Sequence, residues 1–165
     1  MIILYNPKAT KYRSRRFPLS ILSIAAVLEG REEYAIVDGN LDPHPTETLL
    51  GLMREKPVEL LAVTVMPGPQ TVSAVASCRE VRERYPEIPI VWGGYFPSLY
   101  PDTALNANYV DFVVRGQGED TFVELLSALA GERSVSPFAD CLIAIHSDCT
   151  CTIKSVRCGP RVSFQ

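Results

Sequence analysis

Short, uninterrupted runs of apolar residues recur along the chain up to about residue 130, and the segments between them show helical periodicity. Continuous apolar runs are typical of parallel strands that are covered on both faces, whereas half-exposed strands alternate between apolar and polar residues. In the segments between the runs, apolar residues return every three or four positions, which predicts amphipathic helices. The pattern therefore predicts a βα unit repeated five times, with runs that start at Ile2, Tyr34, Leu60, Ile88 and Phe112.

Parallel strands joined by helices predict an α/β fold of the Rossmann-like, flavodoxin-like type. We expect a doubly wound, five-stranded parallel sheet in a three-layer α/β/α arrangement. Ligands of such sheets bind beyond the carboxyl ends of the strands. The loops expected at that edge span residues 6–17, 38–45, 66–70, 93–99 and 115–119. Three of them are rich in glycine or proline, which favours holding a ligand over cleaving one.

Length and charge limit the classes of protein. With 165 residues, 47% of them apolar, the chain can bury one substantial core. We predict one domain over residues 1–135 and an atypical tail over residues 136–165. A net charge of -3 provides no basic field that would attract nucleic acid. The apolar start of the chain is interrupted by Asn6 and Pro7, so we predict no signal peptide, no membrane span and a cytoplasmic protein.

Common phosphate-binding patterns are missing. Nothing matches G-x-x-x-x-G-K-[ST], and Gly93-Gly94 follows the fourth predicted strand, whereas a dinucleotide fingerprint would follow the first. A phosphate-accepting receiver domain needs acidic residues at the end of its first strand, where this chain has Tyr5-Asn6-Pro7. Nucleotide binding is therefore disfavoured, and signalling by aspartyl phosphate is excluded.

The cysteines do not form a recognisable metal motif. Cys78 falls in a predicted helix, and the other four lie in the last quarter of the chain. Their spacing matches neither paired C-x-x-C zinc ligands nor a C-x-x-x-C-x-x-C iron–sulfur run. We predict unpaired thiols, no protein metal site and no iron–sulfur cluster on this chain. Without an activated nucleophile or paired carboxylates at the ligand edge, we expect no catalysis by the chain alone. The four tail cysteines are Cys141, Cys149, Cys151 and Cys158.

The most specific pattern lies at two strand ends, residues 91–97 and 111–119, where apolar runs break into glycines. With three other segments, these ends resemble the cobalamin-binding domain at the amino end of cobalamin-dependent radical S-adenosylmethionine (radical SAM) enzymes. The resemblance covers residues 1–132. It consists of Tyr5-Asn6-Pro7, Phe17-Pro18-Leu19, Val37-Asp38-Gly39-Asn40, Gly93-Gly94-Tyr95-Phe96-Pro97 and Val114-Arg115-Gly116-Gln117-Gly118-Glu119.

The resemblance implies a cobalamin site. The corrin ring would lie across the carboxyl edge of the sheet, and its nucleotide tail would enter a groove beside the first, third and fourth strands. Glycines would let the backbone approach the tail, and the Thr64 hydroxyl would donate a hydrogen bond. Residues 95–97 would form an apolar wall, with ordinary core packing as the alternative for Tyr95 and Phe96. The implied contact residues are Asn6, Pro7, Thr64, Val65, Met66, Gly93, Gly94, Tyr95, Phe96, Pro97, Arg115, Gly116, Gln117, Gly118 and Glu119.

Many cobalamin domains ligate cobalt through a histidine in a D-x-H-x-x-G loop after the first strand. Here Asp42-Pro43-His44 follows the second strand, and Glu47 stands where the glycine would be. We therefore expect no histidine ligand, and a lower cobalt face that meets water or an apolar side chain from the 6–17 loop or the Met66 segment. Basic residues in that loop are either solvated or meet the cofactor phosphate or a docking domain: Lys8, Lys11, Arg13, Arg15 and Arg16.

The resemblance ends beyond residue 137. Relatives carry Gly-Leu-Ser-Tyr-Arg-Asp there, whereas residues 140–145 read Asp-Cys-Leu-Ile-Ala-Ile. DNA that encodes residues 139–145 can encode the relatives' segment in a shifted frame. We therefore expect residues 139–165 to be a frameshifted tail, and the chain to stop before the catalytic barrel that carries the cluster cysteines in relatives.

Three functions remain open from sequence. The first is a cobalamin-binding module, either a remnant of a radical SAM enzyme or a partner to one. The second is an accessory subunit that completes a radical SAM methyltransferase when the barrel is supplied in trans. The third is a flavodoxin-like regulatory or interaction domain without cobalamin.

Overall fold

A single sheet organises the described part of the chain. The structure, a computed structural model, describes residues 1–9 and 17–131 and the backbone of Leu142–Ala144. Strands β1 to β5 pair in parallel, and β6 runs antiparallel to β5. The strand order is β2-β1-β3-β4-β5-β6. The strands are β1 (Ile2–Asn6), β2 (Tyr34–Asp38), β3 (Leu60–Thr64), β4 (Ile90–Gly93), β5 (Phe112–Val114) and β6 (Leu142–Ala144).

The five predicted parallel strands are confirmed, in the 2-1-3-4-5 order of flavodoxin-like sheets. The sixth strand was not predicted, and it lies in the region that we expected to be a frameshifted tail. Its backbone extends the sheet beside β5. The remainder of residues 136–165, with Cys141, Cys149, Cys151 and Cys158 and most of the expected frameshift, lies outside the described residues.

Helices connect the strands, and in the described ranges none is both long and apolar enough to cross a bilayer. One loop prediction was wrong, because residues 95–99 form a helical turn where a loop was expected over 93–99. Gly94, at φ 94°, redirects the chain sharply, and its carbonyl then accepts the Ser98 amide at 3.2 Å. The helices are α1 (Leu19–Leu28), α2 (Pro45–Glu55), α3 (Pro69–Arg84), α4 (Tyr95–Leu99), α5 (Pro101–Leu105) and α6 (Glu119–Leu129).

The sheet separates two apolar cores, which confirms the three-layer arrangement. On one face, Tyr5, Val63 and Trp92 pack with residues of α2, α3 and α5. On the other face, Leu4 and Val91 pack with residues of α1 and α6. Because this second face has only α1 and α6 over it in the described chain, space is left between those helices near the strand ends.

Cys78 illustrates how burial suppresses reactivity. Its side chain is 0% exposed, the Trp92 indole N–H donates to its sulfur at 3.3 Å, and burial raises the pKa of the thiol to about 12. Because the thiolate is the reactive form, we expect iodoacetamide at pH 8 to label native Cys78 more slowly than urea-unfolded Cys78, by on the order of 100-fold. Peptide mass spectrometry separates this cysteine from the tail cysteines. Equal labelling rates in the two states would contradict the prediction.

Candidate functional site

A cavity of about 280 Å³ opens between α1 and α6 at the carboxyl edge of the sheet. We call it the α1/α6 cavity. Residues of β1, β3, β4 and β5 lie beneath it, so it occupies the edge at which doubly wound sheets bind ligands. Its lining residues are Leu4, Ser20, Ile21, Ser23, Ile24, Ala62, Val63, Thr64, Val91, Gly93, Gly94, Val114, Gly116, Gln117, Gly118, Glu119 and Phe122.

Small residues keep the floor of the cavity open. Thr64 and Gly93 are direct neighbours in the β3–β4 register, and both line the cavity. A Cβ atom added to Gly93 would approach nothing closer than the Val114 carbonyl oxygen, at 3.8 Å. Gly93 therefore carries no backbone strain that demands glycine, and its missing side chain leaves space free for a ligand.

Gly94, unlike Gly93, is required by the conformation of the backbone. Its φ of 94° and ψ of -163° lie in a region that only glycine occupies readily. An added Cβ would also lie 2.9 Å from the Thr64 hydroxyl and 3.2 Å from both the nitrogen and the oxygen of Val65. The sequence predicted this glycine as a point of approach for the ligand, whereas its geometry is needed by the protein's own turn.

Two serines at the cavity were not predicted from the sequence. The Ser20 and Thr64 hydroxyl oxygens lie 3.1 Å apart and share a hydrogen bond, and the Ser23 hydroxyl donates to the Ser20 carbonyl at 3.0 Å. Thr64 is buried, and Ser20 lies at the exposed start of α1. Serines in an amphipathic helix give no signal of a ligand by themselves, so only the approach of α1 to β3 identifies them.

The loop between β5 and α6 forms one side of the cavity mouth. Gly116 has a φ of 68°, and its amide donates to the Ser98 hydroxyl oxygen at 2.9 Å. The same Ser98 hydroxyl donates to the Gly94 carbonyl at 2.7 Å. Ser98 therefore joins the two glycine loops, after β4 and after β5, that border the cavity. Ser98 was not predicted from the sequence, because residues 93–99 were expected to form a loop.

We expect Ser98→Ala to lower the free energy of unfolding by about 1–2 kcal/mol, because the Gly116 amide and the Gly94 carbonyl both lose their side-chain partner. Urea unfolding followed by circular dichroism measures the change. Ser127→Ala in α6 is the control, since this position is distant from both loops along the chain and alanine favours a helix. An unchanged unfolding free energy for Ser98→Ala would refute the bridging role.

Asn6 and Pro7, which were predicted to contact the cofactor, lie beside the cavity and do not line it. The Asn6 amide nitrogen donates to Asp38 at 2.8 Å, and its oxygen accepts the Gln70 amide at 2.8 Å. The Pro7 carbonyl accepts the same Gln70 amide at 3.1 Å, and the Gln70 oxygen accepts the Met66 amide at 2.8 Å. These buried polar groups hold the ends of β1, β2 and β3 together.

The other residues that were predicted to contact the cofactor lie partly in the core and partly at the surface. Phe96 packs edge-on against Trp92, with ring centroids 6.4 Å apart, as in the core-packing alternative, whereas Tyr95 is 59% exposed. Pro97 and Val65 are also buried. The Arg115 Nε donates to the Ser98 carbonyl at 3.4 Å. Seven predicted residues line the cavity: Thr64, Gly93, Gly94, Gly116, Gln117, Gly118 and Glu119.

Exposed apolar side chains collect at the same edge of the sheet. They follow β1, β3 and β4 in the chain, at the ends where the cavity opens. Large apolar groups in water at a ligand edge indicate a surface that something else covers. We call this set the apolar rim: Phe17, Leu19, Met66, Tyr95 and Leu99, all between 52% and 84% exposed.

Metal ligands are not grouped in the described residues, where no set of three or more His, Cys, Asp and Glu side chains could hold an ion. His44 is exposed at the start of α2, with Nδ1 3.7 Å from the Glu47 carboxylate. Among the basic loop residues, Lys8 is described, and its amide donates to the Ser73 hydroxyl at 3.3 Å. Lys11, Arg13, Arg15 and Arg16 lie outside the described residues.

Comparisons with known proteins identify the family. Residues 9–126 match the B12 binding domain family. The anaerobic magnesium-protoporphyrin IX monomethyl ester cyclase of Synechocystis sp. is 28% identical over 124 residues, which are 72% of this chain and 24% of the cyclase.

Solved structures share the fold. The radical S-adenosylmethionine methyltransferase TsrM of Kitasatospora setae superposes with a TM-score of 0.74 and 22% identity over 88% of this chain and 28% of TsrM. The cobalamin-dependent radical enzyme OxsB with aqua-cobalamin bound superposes with a TM-score of 0.72 and 16% identity over 88% of this chain and 21% of OxsB. The chain thus spans less than a third of the length of these proteins. It belongs to the B12-binding domain family and has the fold of the cobalamin modules in radical SAM enzymes.

Proposed function

We propose that this B12-binding domain holds cobalamin with its lower nucleotide in the α1/α6 cavity and its corrin ring against the apolar rim. The observation that carries the proposal is that the cavity opens at the same sheet edge as the exposed apolar side chains. A corrin ring is broad and largely apolar at its periphery, so it suits such a surface. The cavity alone is too small for the whole cofactor.

The residues present fit the nucleotide part of the cofactor. Ala62, Thr64 and Gly93 provide a low floor, and the space in front of Gly93 is open. The loop of Gly116 and Gly118 presents backbone groups at the mouth. These residues would hold the tail, while Tyr95 and Met66 would contact the ring. When bound, cobalamin supplies a cobalt centre that carries alkyl groups, and this chain's residues orient it.

The lower face of cobalt would have no histidine ligand from this chain. His44 lies at the start of α2, exposed and beside Glu47, and does not line the cavity. The lower face would instead meet water or an apolar side chain from the 6–17 loop or the Met66 segment. These segments follow the neighbouring strands β1 and β3 in the chain. We expect the electron spin resonance spectrum of the Co(II) form to lack nitrogen hyperfine splitting from a histidine. Splitting that disappears in His44→Ala would overturn this expectation.

A titration with hydroxocobalamin, followed by ultraviolet–visible absorption, tests cofactor binding directly. We expect a spectral shift that saturates at one cofactor per chain. Cobinamide, which has the corrin ring without the nucleotide, is the matched ligand, and we expect it to bind more weakly by about tenfold or more. No shift with either ligand would refute cobalamin binding. Equal affinities would refute the placement of the nucleotide in the cavity.

We further propose that the module serves a radical SAM catalytic domain. The radical SAM structures that share its fold are more than three times longer than the aligned part, and the sequence has no C-x-x-x-C-x-x-C run. Such a domain would come from another polypeptide or from sequence outside these residues. Size-exclusion chromatography of the cobalamin-loaded chain with a radical SAM barrel protein from the same genome tests the first possibility. Separate elution of the two proteins at micromolar concentration would argue against it.

A further inference from the structure

The inner part of the α1/α6 cavity differs in polarity from its mouth. The exposed residues Ser20, Gly116 and Gln117 lie at the mouth. The buried side chains of the lining are, apart from Thr64, hydrocarbon groups contributed by four strands and both helices. A ligand group that enters deeply therefore meets mostly carbon atoms. The inner apolar wall consists of Leu4, Ile21, Ala62, Val91, Val114 and Phe122.

The three hydroxyl groups that line the cavity already have partners within the protein. The Thr64 and Ser20 hydroxyls bond each other, and the Ser23 hydroxyl donates to the Ser20 carbonyl. At the mouth, the Gly116 amide donates to Ser98. A polar ligand atom placed against the inner wall would lose its hydrogen bonds to water and gain few in exchange, which disfavours binding.

We propose that the α1/α6 cavity selects among cobamides by the polarity of their lower base, and that it prefers a benzimidazole to a purine. The inference rests on the proposed placement of the nucleotide in this cavity. The six-membered ring of a benzimidazole carries only C–H and methyl groups. The corresponding ring of adenine carries two ring nitrogens and an amino group, and these would face the inner apolar wall without partners.

The test compares two ligands with the same corrin ring, hydroxocobalamin and the hydroxo form of the adenine-containing cobamide, in spectrophotometric titrations of the full chain. We expect the benzimidazole form to bind more tightly by about tenfold or more. Equal affinities, or tighter binding of the adenine form, would overturn the selectivity while leaving cobalamin binding intact. Failure of both ligands to bind would overturn the proposed function and this inference with it.

A pair of variants assigns the selectivity to the inner wall. Val114→Thr keeps the volume of the side chain and adds a hydroxyl within the cavity, whereas Val58→Thr makes the same change before β3, at the opposite edge of the sheet. We expect Val114→Thr to reduce the affinity ratio by about threefold or more, and Val58→Thr to leave it unchanged.

The comparison of affinity ratios between variants also cancels a difference between the free ligands. Adenine coordinates cobalt more weakly than benzimidazole and is released from it more easily. That contribution is the same for every protein variant. Circular dichroism verifies that both variants are folded. An affinity ratio that is identical in folded Val114→Thr and the original chain would overturn the role of the inner wall.

Discussion

Gly93→Leu should abolish most cobalamin binding and leave the fold intact. A Cβ atom at this position has no neighbour closer than 3.8 Å, so the substitution does not strain the backbone. The rest of the leucine side chain would occupy the cavity in front of Gly93, where we place the nucleotide. We expect binding to weaken by about 100-fold, the equivalent of roughly 3 kcal/mol. Spectrophotometric titration with hydroxocobalamin measures the affinity, and circular dichroism measures the fold.

Gly51→Leu is the matched control. Gly51 lies within α2, remote from the cavity, and the nearest atom to an added Cβ is an Arg54 nitrogen at 4.0 Å. The same change of side chain is tolerated there and favours the helix. We expect unchanged affinity for cobalamin. If Gly93→Leu is folded and also binds cobalamin normally, the nucleotide does not lie in front of Gly93.

Gly94→Ala should destabilise the whole domain, in contrast to changes at Gly93. Alanine would be forced into a backbone region that only glycine occupies readily, and its Cβ would lie 2.9 Å from the Thr64 hydroxyl and 3.2 Å from the Val65 backbone. Strain and overlap together should lower the free energy of unfolding by about 3 kcal/mol or more. Urea unfolding of the cofactor-free chain measures this loss, independently of any ligand.

Gly30→Ala provides a comparison at a positive φ without overlap. Gly30 also has a positive φ, 72°, but an added Cβ would meet nothing within 4 Å. We therefore expect it to cost only the conformational strain, about 1 kcal/mol. If Gly94→Ala costs no more than Gly30→Ala, the contacts with Thr64 and Val65 relax freely and the turn does not require glycine.

Much of the fold was predictable from local patterns. Runs such as the one at Leu60 are buried on both faces, and continuous apolar sequence is how a central parallel strand is encoded. The helices showed the expected faces, with Ala74, Cys78 and Val81 buried on α3. The turn at residues 95–99 was not predicted, because a helix of five residues leaves too short a periodic pattern.

The part of the candidate site that was predictable from sequence lies mostly at strand ends that contain glycine. Glycines at strand ends are visible in sequence, and Gly93, Gly94, Gly116 and Gly118 do line the cavity. Phe96 followed the same motif in the chain, yet it packs on the opposite side of the sheet. The side of the sheet on which a residue packs cannot be predicted from a motif in which the chain turns sharply at Gly94.

The sequence by itself determined the class of fold, the edge at which we expect a ligand to bind, and the family to which the chain belongs. These follow from short-range patterns, since strands, helices and glycine turns are each encoded within a few residues. Only the tertiary structure decided the cavity and its polarity. Its walls combine side chains from α1, α6 and four strands, such as Ser20, Val114 and Phe122. The gap exists because α1 and α6 pack over the sheet without closing above Gly93, and such a gap depends on packing between residues far apart in the chain.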